Sequence, residues 1–113
     1  MDTSALLDMD LVGELRDIMA EGFAGLVDSY EQDTARKLDL MRTALEGDAR
    51  DTLRQLAHSL KGSSSNVGAL EVSGCCLTIE QKAGDGQPDQ LQHLLDELTA
   101  CHQQAMEALR SLV

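Results

Sequence analysis

The apolar side chains of this chain recur three and four positions apart through four long stretches, and nowhere do they alternate singly with polar ones. That spacing lines them along one face of an α-helix, whereas a half-buried strand needs alternation. No β-branched run offers a strand core either. Breakers fall between the stretches in short clusters: Gly22 to Gly25, Gly47-Asp48, Gly68, and Gly84-Asp85-Gly86, with Pro88 the one proline. The chain must therefore bury helical stripes against one another.

A short first segment, about Asp10 to Glu21, places Leu11, Leu15, Ile18 and Met19 on one side. The second, about Phe23 to Leu45, carries Phe23, Leu26, Val27, Tyr30, Thr34, Leu38, Met41 and Leu45 on one stripe. It spans roughly 35 Å at 1.5 Å per residue. Asp48 is placed to cap the third segment, about Ala49 to Val67, through its carboxylate. Leu53, Leu56, Ala57, Leu60, Ser64 and Val67 form that segment's apolar face, and Gly68 suits the left-handed turn that ends a helix. The fourth, about Leu70 to Ala83, shows Val72, Cys76, Ile79 and Ala83. The fifth opens at Pro88, well placed for a first helical turn, with a stripe from Leu91 to Leu112. Short links make successive helices antiparallel neighbours. The expected fold is all-α, an up-down-up-down antiparallel four-helix bundle with a short additional N-terminal capping helix.

Residues 1–113 suit one domain. Phe23 and Tyr30 are the only aromatics, so Leu, Val, Ile, Met and Ala must make the core. The net charge of −11 argues against nucleic acid and anionic lipid surfaces, which need a basic footprint. No apolar run approaches the roughly 18 residues of a membrane span. The opening Met1-Asp2-Thr3-Ser4 has no basic segment, so no secretory leader is expected and a free-standing cytoplasmic protein is. Adjacent Cys75 and Cys76 do not fit the usual zinc-ligand spacing, and with Cys101 they are read as reduced, partly buried thiols. No metal site is expected.

The three histidines separate by helix geometry. With Leu53 at zero and about 100° per residue, His58 falls near 140°, off the apolar stripe, with Lys61 and Gly62 one turn onward. His102 lies along the stripe of the fifth helix and reads as a core or boundary residue; His93 lies opposite it and reads as solvated. The run around His58 is Ala57-His58-Ser59-Leu60-Lys61-Gly62-Ser63-Ser64-Ser65-Asn66. Glycine inside a helix costs about 1 kcal/mol relative to alanine, and serines are mediocre helix formers. Two readings of Gly62 stand side by side. Small residues let two helices approach closely, with fraying near the helix's C-terminus, or Gly62 clears space so that another protein's surface reaches the imidazole. Histidine is in general partly neutral and nucleophilic near pH 7. Lys61 could offset the negative charge that phosphorylation adds.

This run resembles the motif of the histidine-containing phosphotransfer (HPt) family, roughly A-H-x-L-K-G-S-x-x-x-x-G-A. Here it reads Ala57-His58-Ser59-Leu60-Lys61-Gly62-Ser63, then Gly68-Ala69. The likeness extends upstream to Leu26-Val27, Tyr30, Leu45 to Asp48 and Leu53, and downstream to Val72, Cys76 and Ile79-Glu80. It covers the chain from about Leu11 to Leu112. Many family members carry a basic residue four positions after that glutamate; here Gly84 stands there, with Lys82 nearby.

The resemblance implies a helical-bundle phosphorelay intermediate without ATP-dependent kinase activity of its own. His58 would accept a phosphoryl group from a receiver-domain aspartyl phosphate and pass it to another receiver aspartate. Lys61 would neutralise the phosphoryl group, Gly62 would leave room for the receiver, and Ser63 and Gly68 would be structural. Glu80 and Gln55 are candidate orienting groups for the imidazole. The implied partners are response-regulator receiver domains and a hybrid sensor histidine kinase. No cofactor is implied for the chain, since Mg²⁺ would sit on the receiver. A closed bundle needs no second copy, so a monomer is expected. The rival reading is a non-transferring HPt-like binding module that sequesters a receiver or kinase. An enzyme with its own active site has no supporting motif, because no Walker-type loop or kinase signature is present.

Overall fold

The computed structural model describes residues 6–113; the Met1 to Ser4 start lies outside the described residues. Five helices follow in order among those residues: α1 (Met9–Met19), α2 (Gly22–Glu46), α3 (Arg50–Asn66), α4 (Leu70–Lys82) and α5 (Pro88–Arg110). Helices α2 to α5 form an antiparallel four-helix bundle. Each packs on the next, and α5 closes back on α2. The core runs down the middle and is aliphatic: Leu53, Leu60, Ile79, Leu91 and Leu98 are wholly buried, with Met41 and Val72 among them. Phe23 and Tyr30 join it from α2. No helix among the described residues is long and apolar enough to cross a membrane.

Two links are built alike. After α3, Gly68 takes φ +79° and donates to the Ser65 carbonyl, while the Ala69 N–H reaches the Ser64 carbonyl at 2.8 Å. This is the paired hydrogen bonding of a Schellman turn. After α2, Asp48 takes φ +54°, donates to Leu45, and the Ala49 N–H reaches Ala44 at 2.8 Å. Asp48 therefore ends α2 rather than capping α3, which corrects the sequence expectation. The residue at the N-cap is Ala49, with no side-chain bond. The Asp48 carboxylate instead accepts from Arg50 Nε at 2.6 Å. An aspartate tolerates the left-handed region well enough to replace glycine there.

Glycine is needed at the second link. A Cβ on Gly68 would come within 2.9 Å of Val12 Cγ2. The Gly68 carbonyl also accepts from the Asp8 N–H at 2.8 Å, and the Asp8 carboxylate caps α1 by accepting from Leu11 N–H. Helix α1 is thereby anchored over one end of the bundle. It buries Val12 and half-buries Leu15. Ile18 is 80% exposed and Met19 also reaches solvent, contrary to the expected stripe. A helix lying across a bundle's end has neighbours along part of its length only, so its last turn stays wet.

At the opposite end, Arg50 ties down the α4–α5 link. Its Nη1 donates to the carbonyls of Ala83 and Gly86 at 3.0 and 2.8 Å. Pro88 occupies the first turn of α5, as its sequence position predicts.

Candidate functional site

Helix α3 turns Leu53, Ala57, Leu60 and Ser64 inward, all buried. The same turns carry His58 to the outer surface, where its side chain is 64% exposed. Its Nδ1 lies 2.7 Å from Oε2 of Glu80 on α4. Lys61 Nζ, one turn along α3, donates to the other oxygen, Oε1, also at 2.7 Å. Glu80 itself is half-buried, because it follows the core residue Ile79 on the α4 edge that faces α3. The Lys61 ammonium, with the His58 ring next, holds the Glu80 carboxyl below the usual carboxylate range. A carboxylate that stays ionised accepts; the hydrogen-bond network therefore assigns the proton of a neutral His58 ring to Nδ1. The Nε2 lone pair is then free on the exposed side of the ring.

The surroundings of His58 are kept in place by serines. Ser64 Oγ pairs with the buried Tyr30 hydroxyl at 2.7 Å, joining α3 to α2. Burial pushes the Tyr30 hydroxyl up to about 12, so it stays protonated. Ser65 Oγ pairs with Ser73 Oγ at 2.8 Å, and Ser73 donates to the Lys61 carbonyl. Ser63 turns its hydroxyl back onto the Leu60 carbonyl at 3.1 Å. The weak helix formers in this run thus fasten α3 sideways to both neighbours. Gly62 does not serve helix packing: a Cβ there would meet nothing within 4 Å. That disposes of the close-approach reading of Gly62 and leaves an open surface one turn from His58.

Other sequence candidates fall elsewhere. Gln55 donates to Asp51 at 2.7 Å, on its own helix, rather than reaching His58. A residue near 200° on the helical wheel points away from α4, and Asp51 is its nearest carboxylate one turn back. His93 is exposed and pairs with Glu97 at 2.9 Å. His102 is buried and meets Tyr30 edge to face, with ring centroids 6.0 Å apart. Burial lowers its pKa. Lys82 and Gly84 are exposed beyond Glu80. Among the described residues, no three His, Cys, Asp or Glu side chains are grouped to hold a metal ion. One cation escaped the sequence reading. Arg54 lies one turn before His58 on the α4 side, presently held by Asp51 at 2.8 Å. The four-residue spacing was the signal for it.

The arrangement is an exposed imidazole with one nitrogen engaged, one nitrogen free, a cation beside it and a bare helix surface next to that. The imidazole stands on the outer surface of α3, accessible from solvent.

Comparison with known proteins bears on the fold and the family. Among curated proteins, no sequence matches the chain significantly. The fold matches histidine-containing phosphotransfer protein B (HptB) from Pseudomonas aeruginosa PAO1 with a TM-score of 0.86 at 27% identity, over 93% of this chain and 91% of that one. It also matches the maize histidine-containing phosphotransfer protein ZmHP2 in fold, with a TM-score of 0.84 at 24% identity, over 96% and 90% of the two chains. The Hpt domain family is matched over residues 25–111, which takes in all but the first three residues of α2, the whole of α3 to α5 and every residue of the His58 surface. A four-helix bundle that carries an exposed histidine on its second long helix, matched by that family along most of its length, belongs to the Hpt domain family of histidine phosphotransfer in two-component signalling.

Proposed function

We propose that His58 is the phosphoacceptor of a relay between receiver domains. In the forward step the Nε2 lone pair attacks the phosphorus of a receiver's aspartyl phosphate. The N–P bond forms, the P–O bond to the aspartate breaks, and the receiver carboxylate leaves with the electron pair. The ring becomes positively charged at that moment. Its Nδ1–H is already directed at the Glu80 carboxylate, so the developing charge meets a fixed anion and needs no reorganisation. The return step to a second receiver is the reverse. Glu80 acts through His58 and is a positioning residue.

Lys61 supplies a cation within one turn of the transferred group, where the chain is otherwise strongly acidic. Gly62 keeps the adjoining surface low enough for a receiver to approach. Ser63 and Gly68 serve the helix and its end. The reacting Mg²⁺ belongs to the receiver, and a hybrid sensor histidine kinase feeds the relay. The chain works as a cytoplasmic monomer and as a carrier, with no ATP site of its own. The observation that carries this reading is the division of labour on one ring: Nδ1 is held by Glu80 at 2.7 Å on a side chain that is otherwise 64% exposed.

The test is transfer of label from a phosphorylated receiver to the purified protein. Acid-labile, alkali-stable label is expected on the wild-type chain and none on His58→Gln. Label retained by His58→Gln would overturn the assignment. Tight receiver binding with no label on the wild type would instead select the sequestering module.

A further inference from the structure

We propose that Cys75 and Cys101 are a redox pair that closes to an intramolecular disulfide in the presence of a peroxide, stapling α4 to α5 away from His58. The two residues lie 26 positions apart in sequence, yet their Sγ atoms stand 3.4 Å apart across the α4–α5 seam. A disulfide needs about 2 Å, so a small side-chain rotation brings the sulfurs to bonding distance. Both thiols are free. Cys76, although adjacent, is wholly buried and turned about 100° away around α4.

Access is one-sided, and this orders the chemistry. A surface groove lined by Glu71, Gly74, Cys75, Thr78, Leu94 and Glu97 opens onto Cys75. Cys75 is half-buried, whereas Cys101 is buried behind it and donates weakly to Glu71 Oε1 at 3.4 Å. Cys75 therefore meets the oxidant first. As thiolate it attacks one peroxide oxygen, the O–O bond breaks, and Cys75 sulfenic acid and water result. Cys101 gives up its proton and attacks the Cys75 sulfur. The S–O bond breaks and a second water leaves. Two thiols are oxidised and one hydrogen peroxide is reduced to two waters.

Burial pushes both thiols up; at Cys75 the hydrogen bond with Cys101 opposes the rise, and Glu71 on α4 and Glu97 on α5, the carboxylates facing it, add to it. The pair is thus slow to oxidise at neutral pH and faster as pH rises, since the thiolate is the attacking form. This sets it apart from a constitutive bridge. Glu80 stands on the same short helix five residues beyond Cys75, so closure would brace the helix that positions His58.

The experiment uses the full chain, reduced and then exposed to hydrogen peroxide at about pH 8.5, where a larger fraction of the thiol is thiolate. Expected are a mass loss of about 2 Da, the mass of the two thiol hydrogens, and, on alkylation after unfolding in denaturant, labelling of Cys76 alone. The reduced chain is alkylated at Cys75, Cys76 and Cys101. A Cys75–Cys101 cross-linked peptide and a rise in Tm of roughly 10 °C, reversed by a dithiol, complete the expected result. Cys76→Ser should keep the mass loss and Cys75→Ser should abolish it; Cys75 is half-exposed, so that variant does not disturb the core. Absence of a mass loss, stable oxygen adducts alone, a cross-link through Cys76, or a loss that survives in Cys75→Ser would each overturn the proposal.

Discussion

Glu80 Oε2 lies 2.7 Å from His58 Nδ1, across the seam between α4 and α3, while Oε1 of the same carboxylate takes the Lys61 ammonium at 2.7 Å. One acidic side chain thus spans the two motif residues that stand a helical turn apart. It fixes which ring nitrogen is engaged and where the nearest cation points.

Removing that carboxylate should slow transfer without unfolding the bundle. Glu80→Ala is expected to lower the phosphotransfer rate about 10- to 100-fold, the range lost when the carboxylate that orients a metal-ligating histidine is removed. Glu80→Gln should recover part of the rate, because its amide oxygen still accepts from Nδ1–H. Nitrogen NMR of the His58 ring separates positioning from a structural role. The wild type should show the Nδ1–H tautomer and Glu80→Ala a mixture. An unchanged rate and tautomer would remove Glu80 from the account.

Gly62 should trade stability against function. Nothing lies within 4 Å of a Cβ placed there, and alanine is the better helix former by about 1 kcal/mol. Gly62→Ala is expected to raise Tm by a few degrees. Gly62→Leu should hold stability near the wild-type value yet cut receiver transfer about tenfold or more by obstructing docking, which corresponds to about 1.4 kcal/mol. Paired thermal melts and transfer assays check this. A Gly62→Leu variant with full transfer would show that the open surface is not used.

The two similar links should differ in their sensitivity to mutation. Gly68→Ala is expected to cost about 2 kcal/mol or more, since it combines a positive φ with a Cβ 2.9 Å from Val12 Cγ2. Asp48→Gly, at φ +54° and exposed, should be near neutral. Urea unfolding of both variants measures the difference.

Stability should fall on the acid side because of His102. Burial lowers its pKa in the folded state. The unfolded chain therefore takes up the proton first as pH falls below about 6.5, and stability drops by at most about 1.4 kcal/mol per pH unit over that window. His102→Leu should flatten this slope between pH 7 and 5. It also removes Nδ1, which has no hydrogen-bond partner among the described residues. Chemical denaturation at several pH values gives both quantities.

Much of this molecule was legible in the residue pattern, for reasons that also explain what was hidden. Stripes such as Val72, Cys76, Ile79 and Ala83 face neighbours along their whole length, so periodicity predicts their burial, and all four are buried. Ile18 has the same spacing but sits where α1 overhangs the bundle's end, and position in space decides its exposure. The role of Asp48 depended on a backbone angle that residue type leaves open, since aspartate serves both N-caps and left-handed turns. At the site, His58, Lys61 and Gly62 are one turn apart and their shared face follows from helix geometry alone. Glu80 is 22 residues from His58. The resemblance suggested it, but its contact depends on the register of α4 against α3. The same register brings Cys75 to Cys101, a pairing no spacing rule foretells.

The most direct test of the account is where on the protein the phosphoryl group resides. Phosphorus–nitrogen coupling in a nitrogen-labelled chain, phosphorylated by a receiver, reads the bonded atom itself. The account predicts a single phosphohistidine, at His58 and bonded through Nε2, with the Nδ1 proton retained. A phosphoryl group bonded to Nδ1, or carried by His93, His102 or a carboxylate, would contradict it.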